Sequence, residues 1–428
     1  MSHINYITDI LNIKDKNIFF KEDFYKEEII KGTTCKIFEG YLSYSPTFCP
    51  KCGCVYNDTQ TYEKHGFILS DILMPNISGF KAILRLHKQR IKCHICNKPF
   101  TLSTNIVNRG CFISNNTKLS IINDLTKKRS EKDIALDNHV SPNTVERVID
   151  SYYEGKKLYK HYLPEVLSFD EFKSVKDADG AMSFHMCNGQ NGKIIDIVED
   201  RKLMSLLKYF AYYTHKARSN VKLIVIDMYS PYISLIQKMF PNAQIIIDKF
   251  HLTQLISRAL NKTRIMIMKK DKSNYNKFKR YWKLLLKSRD ELDLSKWKKF
   301  RCFDNLMTEV DVVNYLIDSN YELKDTYQAY QDLLYALQRD DINVFKSVLN
   351  NNYKNLSSYM KTSVKTLKTF SGYIGNTFKY KYHNGFIEGN NNFIKVIKRI
   401  AFGFRSFTRF KARIMICKGI ITPKRANA

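Results

Sequence analysis

Three acidic residues stand where short apolar runs stop. Asp170 closes Val166–Asp170 (V-L-S-F-D), and Asp227 closes the β-branched run Leu223–Asp227 (L-I-V-I-D). Glu388 falls in the first turn of a helix-like pattern that opens at Gly385. A buried strand that ends on an Asp leaves the carboxylate at a sheet edge facing solvent. Two such strands and one helix-borne Glu can bring three carboxylates to one point. Three converging carboxylates hold hard divalent cations such as magnesium, and a pair of such ions drives in-line attack on phosphate.

A second set is built of thiols. Cys49-Pro50-Lys51-Cys52 and Cys93-His94-Ile95-Cys96 are two C-x-x-C knuckles, each tight enough to aim two thiolates at one ion. Two knuckles give the tetrahedral sulfur set that zinc prefers, and without an open position or nearby base the ion is structural. Incidental or buried thiols are the alternative. Cys54 and His94 are spare candidates. Cys35, Cys111, Cys187, Cys302 and Cys417 stand alone and read as core or surface thiols.

These residues need elements to hold them. Gly66–Leu73 and Gly79–Lys92 read as the strands of a zinc ribbon over residues 46–112, preceded by a 1–45 segment with a weak helix and no assignable chemistry. Over 113–157, Ser130 caps one helix and Ser141-Pro142 starts a second. The apolar spacing of Ile134, Ala135, Val140, Val145 and Val148 fits a helix-turn-helix, or an ordinary helical hairpin. In the first case Asn143, Thr144, Glu146 and Arg147 face DNA. From 158 to 251 the runs become strand-like: Val166–Phe169, Ala181–Cys187, Lys193–Val198, Lys222–Ile226 and Gln244–Ile247. The N-G-Q-N-G turn at Asn188–Gly192 joins the second and third. With helices over 201–214 and 230–239, the order β-β-β-α-β-α-β is that of a ribonuclease-H-like mixed sheet. Asp248 and His251 follow the fifth strand and either brace a metal site, position a phosphate or cap the next helix.

Residues 252–380 read as helical throughout, an insertion before the Glu388 helix. Within 251–300 there are 15 Lys+Arg against 4 Asp+Glu, interleaved with Trp282, Trp297 and Tyr275. Such a mixture suits nucleic-acid backbone and base stacking, although each aromatic singly also suits a helical core. Residues 381–428 carry the Glu388 helix, with Lys395, Lys398 and Arg399 on one side as cations expected to bind DNA phosphates, and then a basic tail. The whole is a multidomain α+β chain.

At 428 residues and a net charge of +29, the chain is expected to hold about three domains and to meet a polyanion. No signal peptide opens it and no long apolar run crosses a membrane, so a cytoplasmic protein is expected.

The ordered motifs C-P-K-C-G, C-H-I-C, S-P-N-T-V-E-R, S-F-D-E-F, V-I-D-M-Y-S-P-Y, F-P-N-A-Q-I-I-I-D-K-F-H and N-G-F-I-E-G-N-N-N-F-I-K-V-I-K-R-I-A-F-G-F-R resemble the bacterial DDE transposases of the ISL-three insertion-sequence group. The resemblance implies that Asp170, Asp227 and Glu388 are a catalytic triad binding two magnesium or manganese ions, with zinc as a structural ion. It implies binding to terminal inverted repeats and target DNA, strand cleavage and strand transfer, and a homodimer or larger assembly on nucleoid DNA. The competing reading is a non-catalytic DNA-binding regulator with the same amino-terminal modules; a nuclease that cuts without joining is a weaker one.

Overall fold

The computed structural model describes residues 3–56, 61–154 and 160–420. The boundary expected at 157/158 and the last eight residues of the basic tail lie outside them. The chain divides into two compact units, Met1–Lys157 with Lys395–Ala428, and Leu158–Ile394.

The first unit begins with α1 (His3–Ile10), then β1 (Ile18–Ile30), β2 (Thr33–Leu42), β3 (Tyr62–Ile77), β4 (Phe80–Cys93) and β5 (Pro99–Thr101). These strands form one sheet of order β1-β2-β4-β3, with β5 on β4. Two hairpins set its register. Lys31-Gly32 and Ser78-Gly79 both turn with positive φ at two successive residues, the backbone of the turns that match strand twist. The segment before residue 46 is thus not a separate appendage. It supplies a hairpin to the sheet that carries the cysteines, through the parallel β2–β4 pair. Three helices follow: α2 (Asn115–Leu125), α3 (Glu131–Asp137) and α4 (Pro142–Glu154). Ser130 accepts the Asp133 amide and Ser141 the Thr144 amide, so each hydroxyl satisfies an orphan N–H of its helix. Ile121, Leu125, Ile134, Val145 and Ile149 bury against one another and against Ala412 and Ile416 near the carboxyl end.

The second unit holds β6 (Val166–Lys173), β7 (Met182–Asn188), β8 (Ile194–Val198), α5 (Leu203–Ala211), α6 (His215–Ser219), β9 (Leu223–Ile226), α7 (Ser230–Met239), β10 (Gln244–Ile247) and α8 (Lys249–Lys270). The sheet runs β10-β9-β6-β7-β8, with β9 and β10 parallel to β6 and the β7–β8 hairpin antiparallel. The five strands arise at the expected runs, because β6, β9 and β10 are covered on both faces and need continuous apolar sequence, but β6 does not stop at Asp170: pairing with β7 carries it on to Lys173. Beyond α8 come α9 (Tyr275–Arg280), α10 (Trp282–Leu286), a ribbon of β11 (Lys298–Lys299) and β12 (Leu306–Met307), then α11 (Glu309–Asp318), α12 (Tyr321–Gln338), α13 (Ile342–Asn350), α14 (Ser358–Thr369) and α15 (Ser371–Lys379). The region is helical apart from that ribbon. It does not form its own core: one buried cluster runs from Leu163 through Phe169, Ile226 and Leu260 to Ile374.

Last come α16 (Gly385–Ile400) and α17 (Phe407–Cys417). Positive φ at Phe402 and Gly403 ends the first, and Ser406 caps the second. From Lys395 onward the chain belongs to the first unit, not to the sheet carrying Asp170.

Candidate active site and metal centre

The β6–β9 register ends with Ser168 paired to Val225, two residues before Asp170 and Asp227, and the Asp227 charge acts on Asp170. The β9–β10 register pairs Ile226 with Ile247, so Asp248 is next in the same row. On the other side of Asp170, the antiparallel β7 places His185 opposite. Asp227 and Asp248 thus follow the last residues of β9 and β10, while Asp170 lies within β6, which runs on to Lys173.

Their partners differ. His251 Nε2 lies 2.8 Å from Asp227 Oδ1 and 3.9 Å from Asp248 Oδ2. Asp248 opens α8, yet its side chain makes no cap there and accepts instead from the backbone N–H of Asn384, at 3.1 Å. That residue directly precedes α16, so Asp248 ties the third strand end to the root of the helix bearing Glu388. Asp170 Oδ2 accepts from Asn391 Nδ2 at 2.6 Å, and Oδ1 from the Glu171 amide at 2.7 Å. Glu171 is engaged elsewhere, paired with Arg201 and accepting from Tyr232 Oη at 3.1 Å.

Burial and the neighbouring Asp227 charge push the Asp170 pKa up to about 7, against the amide bonds that favour its anion. Burial also raises Asp248, opposed by the Asn384 amide and His251. For His251 burial disfavours the charge, but the hydrogen bond and charge of Asp227, with Asp248 and Asp170 beyond, raise its pKa overall. Close, part-buried acids repel one another unless a cation neutralises them.

Glu388 is exposed, in the first turn of α16, where a carboxylate meets the positive helix end. Residues three apart on a helix share a face, so it stands one turn before Asn391, the residue bonded to Asp170. Asp170, Asp227 and Glu388 do not present oxygens within 4.8 Å of one another among the described residues. The donor set, all hard oxygen with Asp248 and Glu171 already bonded elsewhere, fits divalent magnesium or manganese. The site is open, with two acids set by the sheet and the third on a helix edge.

The thiols are arranged otherwise. One sulfur from each of Cys49, Cys52, Cys93 and Cys96 lies within 4.8 Å of all the others. Each knuckle turns on a left-handed residue just after its second Cys, Gly53 (φ 76°) and Asn97 (φ 55°). The Lys51 amide points at Cys49 Sγ (3.4 Å) and Gly53 N–H closes on the Cys49 carbonyl (2.9 Å). Four sulfurs so gathered fit zinc. Cys54 lies 3.3 Å from Cys52 Sγ and remains a spare, whereas His94 turns to Glu63.

Of the residues expected to face DNA, Asn143 and Arg147 are exposed. Thr144 is not: it is 8% exposed and its hydroxyl lies 3.0 Å from that of Ser141. Glu146 pairs with Arg409, which also holds Asp150 at 2.8 Å. Lys395 and Arg399 are exposed; Lys398 is half-buried, 6.0 Å from the Phe410 ring centroid. Trp297 is 65% exposed and Trp282 36%. Sequence reasoning missed Asn391 and His185. For Asn391 the signals were its place in the motif of Glu388 and the helical spacing from it, and for His185 the strand pairing opposite Asp170.

A family model for transposases of the DDE, ISL3 type matches residues 167–414. Over 209 residues the chain is 28% identical to a transposase for insertion sequence element IS1001 from Bordetella parapertussis, covering 46% of this chain and 48% of that one. Over 113 residues it is 43% identical to a Lactococcus lactis protein named ATP-dependent protease, covering 26% of this chain and 36% of the other. The matches thus span about half of the one relative's length and about a third of the other's. No helix among the described residues is long and apolar enough to cross a membrane.

Proposed function

The chain belongs to the ISL3 group of DDE transposases, and from that premise we propose that it binds the terminal inverted repeats of an insertion sequence, cuts DNA there and joins the ends to target DNA. What supports this reading is that Asp170 within β6 and Asp227 just after β9 each stand two residues past the paired Ser168 and Val225 of these parallel strands, with the Glu388 helix bonded to Asp170 through Asn391. The sheet order, three antiparallel strands and two parallel ones, supports a ribonuclease-H-like core. Helices α3 and α4 serve as a helix-turn-helix, with Asn143 and Arg147 meeting bases or phosphates and Thr144 shaping the helix start. The four thiolates hold a structural zinc. The protein acts in the cytoplasm on nucleoid DNA, as a dimer or larger assembly that pairs two element ends.

Asp170, Asp227 and Glu388 would hold two divalent cations, which supply charge stabilisation to the attacking and leaving oxygens of the phosphodiester. His251 holds the Asp227 carboxylate in place and shares its charge. Asp248 fixes the start of the helix that bears Glu388, through the Asn384 amide. Lys395 and Arg399, further along α16, meet the DNA backbone. No side chain becomes bonded to DNA.

Purified protein, an end-mimicking duplex and a target plasmid provide the test. Magnesium-dependent nicking at the duplex end followed by joined product is the expected result. Binding without cleavage at any metal concentration would favour a DNA-binding regulator, and cleavage without joining a nuclease.

A further inference from the structure

We propose that Asn391 is a positioning residue that locks the Asp170 carboxylate to the Glu388 helix, with His185 fixing which way its amide points. The inference rests on the metal-site reading above and adds to it a residue outside the acidic set.

Three observations converge. Asn391 Nδ2 donates to Asp170 Oδ2 at 2.6 Å, a short bond to a carboxylate from a side chain 221 positions away. Bonds of this kind to an ionised acceptor are among the stronger ones in proteins. The other end of the amide, Asn391 Oδ1, is buried and has no hydrogen-bond partner of ordinary geometry among the described residues. The same holds for both ring nitrogens of His185, which is fully buried and faces Asp170 across the β6–β7 ladder. Buried orphan groups are costly, and two of them side by side call for an explanation. Burial pushes the His185 pKa down, while the Asn391 amide favours its charged form, as an acceptor oxygen facing the ring would. A slight rotation of either side chain completes a relay from imidazole N–H to amide oxygen, and from amide N–H to carboxylate.

The relay acts on the site in two ways. It fixes the rotation of the Asp170 carboxylate, since Oδ1 is already held by the Glu171 amide. It also clamps α16 to the sheet one turn beyond Glu388. A second clamp lies beside it: Asn390 Nδ2 donates to the Gly192 carbonyl at 2.9 Å. A carboxylate held in one orientation binds an ion without first losing rotamer freedom, so the relay raises affinity without itself ligating.

Manganese binding to the full-length protein, read by calorimetry and by the electron paramagnetic resonance of free ion, tests this without any turnover. Zinc is kept saturating so that the thiols do not compete. Wild type is expected to bind, Asp170→Ala to lose that binding, Asn391→Ala to bind about tenfold more weakly, and His185→Ala about threefold more weakly. Circular dichroism checks folding. Where Asn391→Ala does not fold, Asn391→Ser, which keeps a shorter donor, is measured instead, with a loss of about threefold expected. Wild-type manganese affinity in a folded Asn391 variant would overturn the inference and leave the metal-site reading intact. Failure of wild type to bind at all would overturn both.

Discussion

The two candidate metal sites of this protein are built in opposite ways. At the thiol site four sulfurs are already gathered, and every sulfur comes from a knuckle whose backbone bends on Gly53 or Asn97. At the acidic site Asp170 and Asp227 lie two residues past the last β6–β9 pair, while Glu388 stays exposed on a helix turn. Charge explains part of the difference. Unlike carboxylates, thiols need not all carry charge at neutral pH, so they can crowd together. Three carboxylates repel, and burial, with the Asp227 charge second, already raises the Asp170 pKa. Function explains the rest, for a structural ion wants a closed cage and a catalytic one wants room for substrate.

The largest effect that could break this contrast is on stability. Removing zinc with a strong chelator, or introducing Cys93→Ser, should unfold much of the cysteine-bearing sheet, because structural zinc commonly contributes about 10 kcal/mol or more. Thermal melts and metal content check this; an unchanged melt in a metal-free protein would make the thiols incidental. Next is Asp227→Ala, expected to cut strand cleavage by roughly a thousandfold, about 4 kcal/mol of barrier, with the melting temperature nearly unchanged. A gel assay of end cleavage checks it, alongside a shift assay in which binding to the repeat should persist.

Gly192→Ala sharpens the comparison by moving the helix and its Glu388 while leaving the two aspartates on the sheet. A Cβ there would stand 2.9 Å from Phe386, at a backbone φ of +71°. The strain, about 1–3 kcal/mol, should tilt α16 and lower cleavage by about tenfold, with zinc content unchanged. Arg147→Ala is the smallest, a loss of about 1 kcal/mol in repeat binding measured by fluorescence anisotropy, with cleavage at saturating protein near normal.

Much of this was legible in the sequence where an element is defined by its own residues. The apolar runs ending at Asp170 and Asp227 had to be covered strands, and the serines at 130 and 141 had to be caps. What was missed depended on partners far along the chain. Strand β1 reads as a charged stretch because only its first residues are buried, so no alternation betrays it. Thr144 looks like a DNA-reading residue by position, but the first turn of α4 rotates it inward. The role of Asp248 was divided among bracing a metal site, positioning a phosphate and capping; its own helix is uncapped by it, and the carboxylate goes to a backbone amide 136 residues on. Asn391 lies in the same motif as Glu388 but carries no charge, so only the fold shows that it meets Asp170.

The most direct measurement is an anomalous difference map from crystals soaked in manganese. The account predicts ion density bonded at about 2.2 Å to oxygens of both Asp170 and Asp227, with the Glu388 side chain turned in to complete the shell. Manganese bound elsewhere, with Glu388 still directed to solvent and the two aspartates bare at saturating ion, would contradict it.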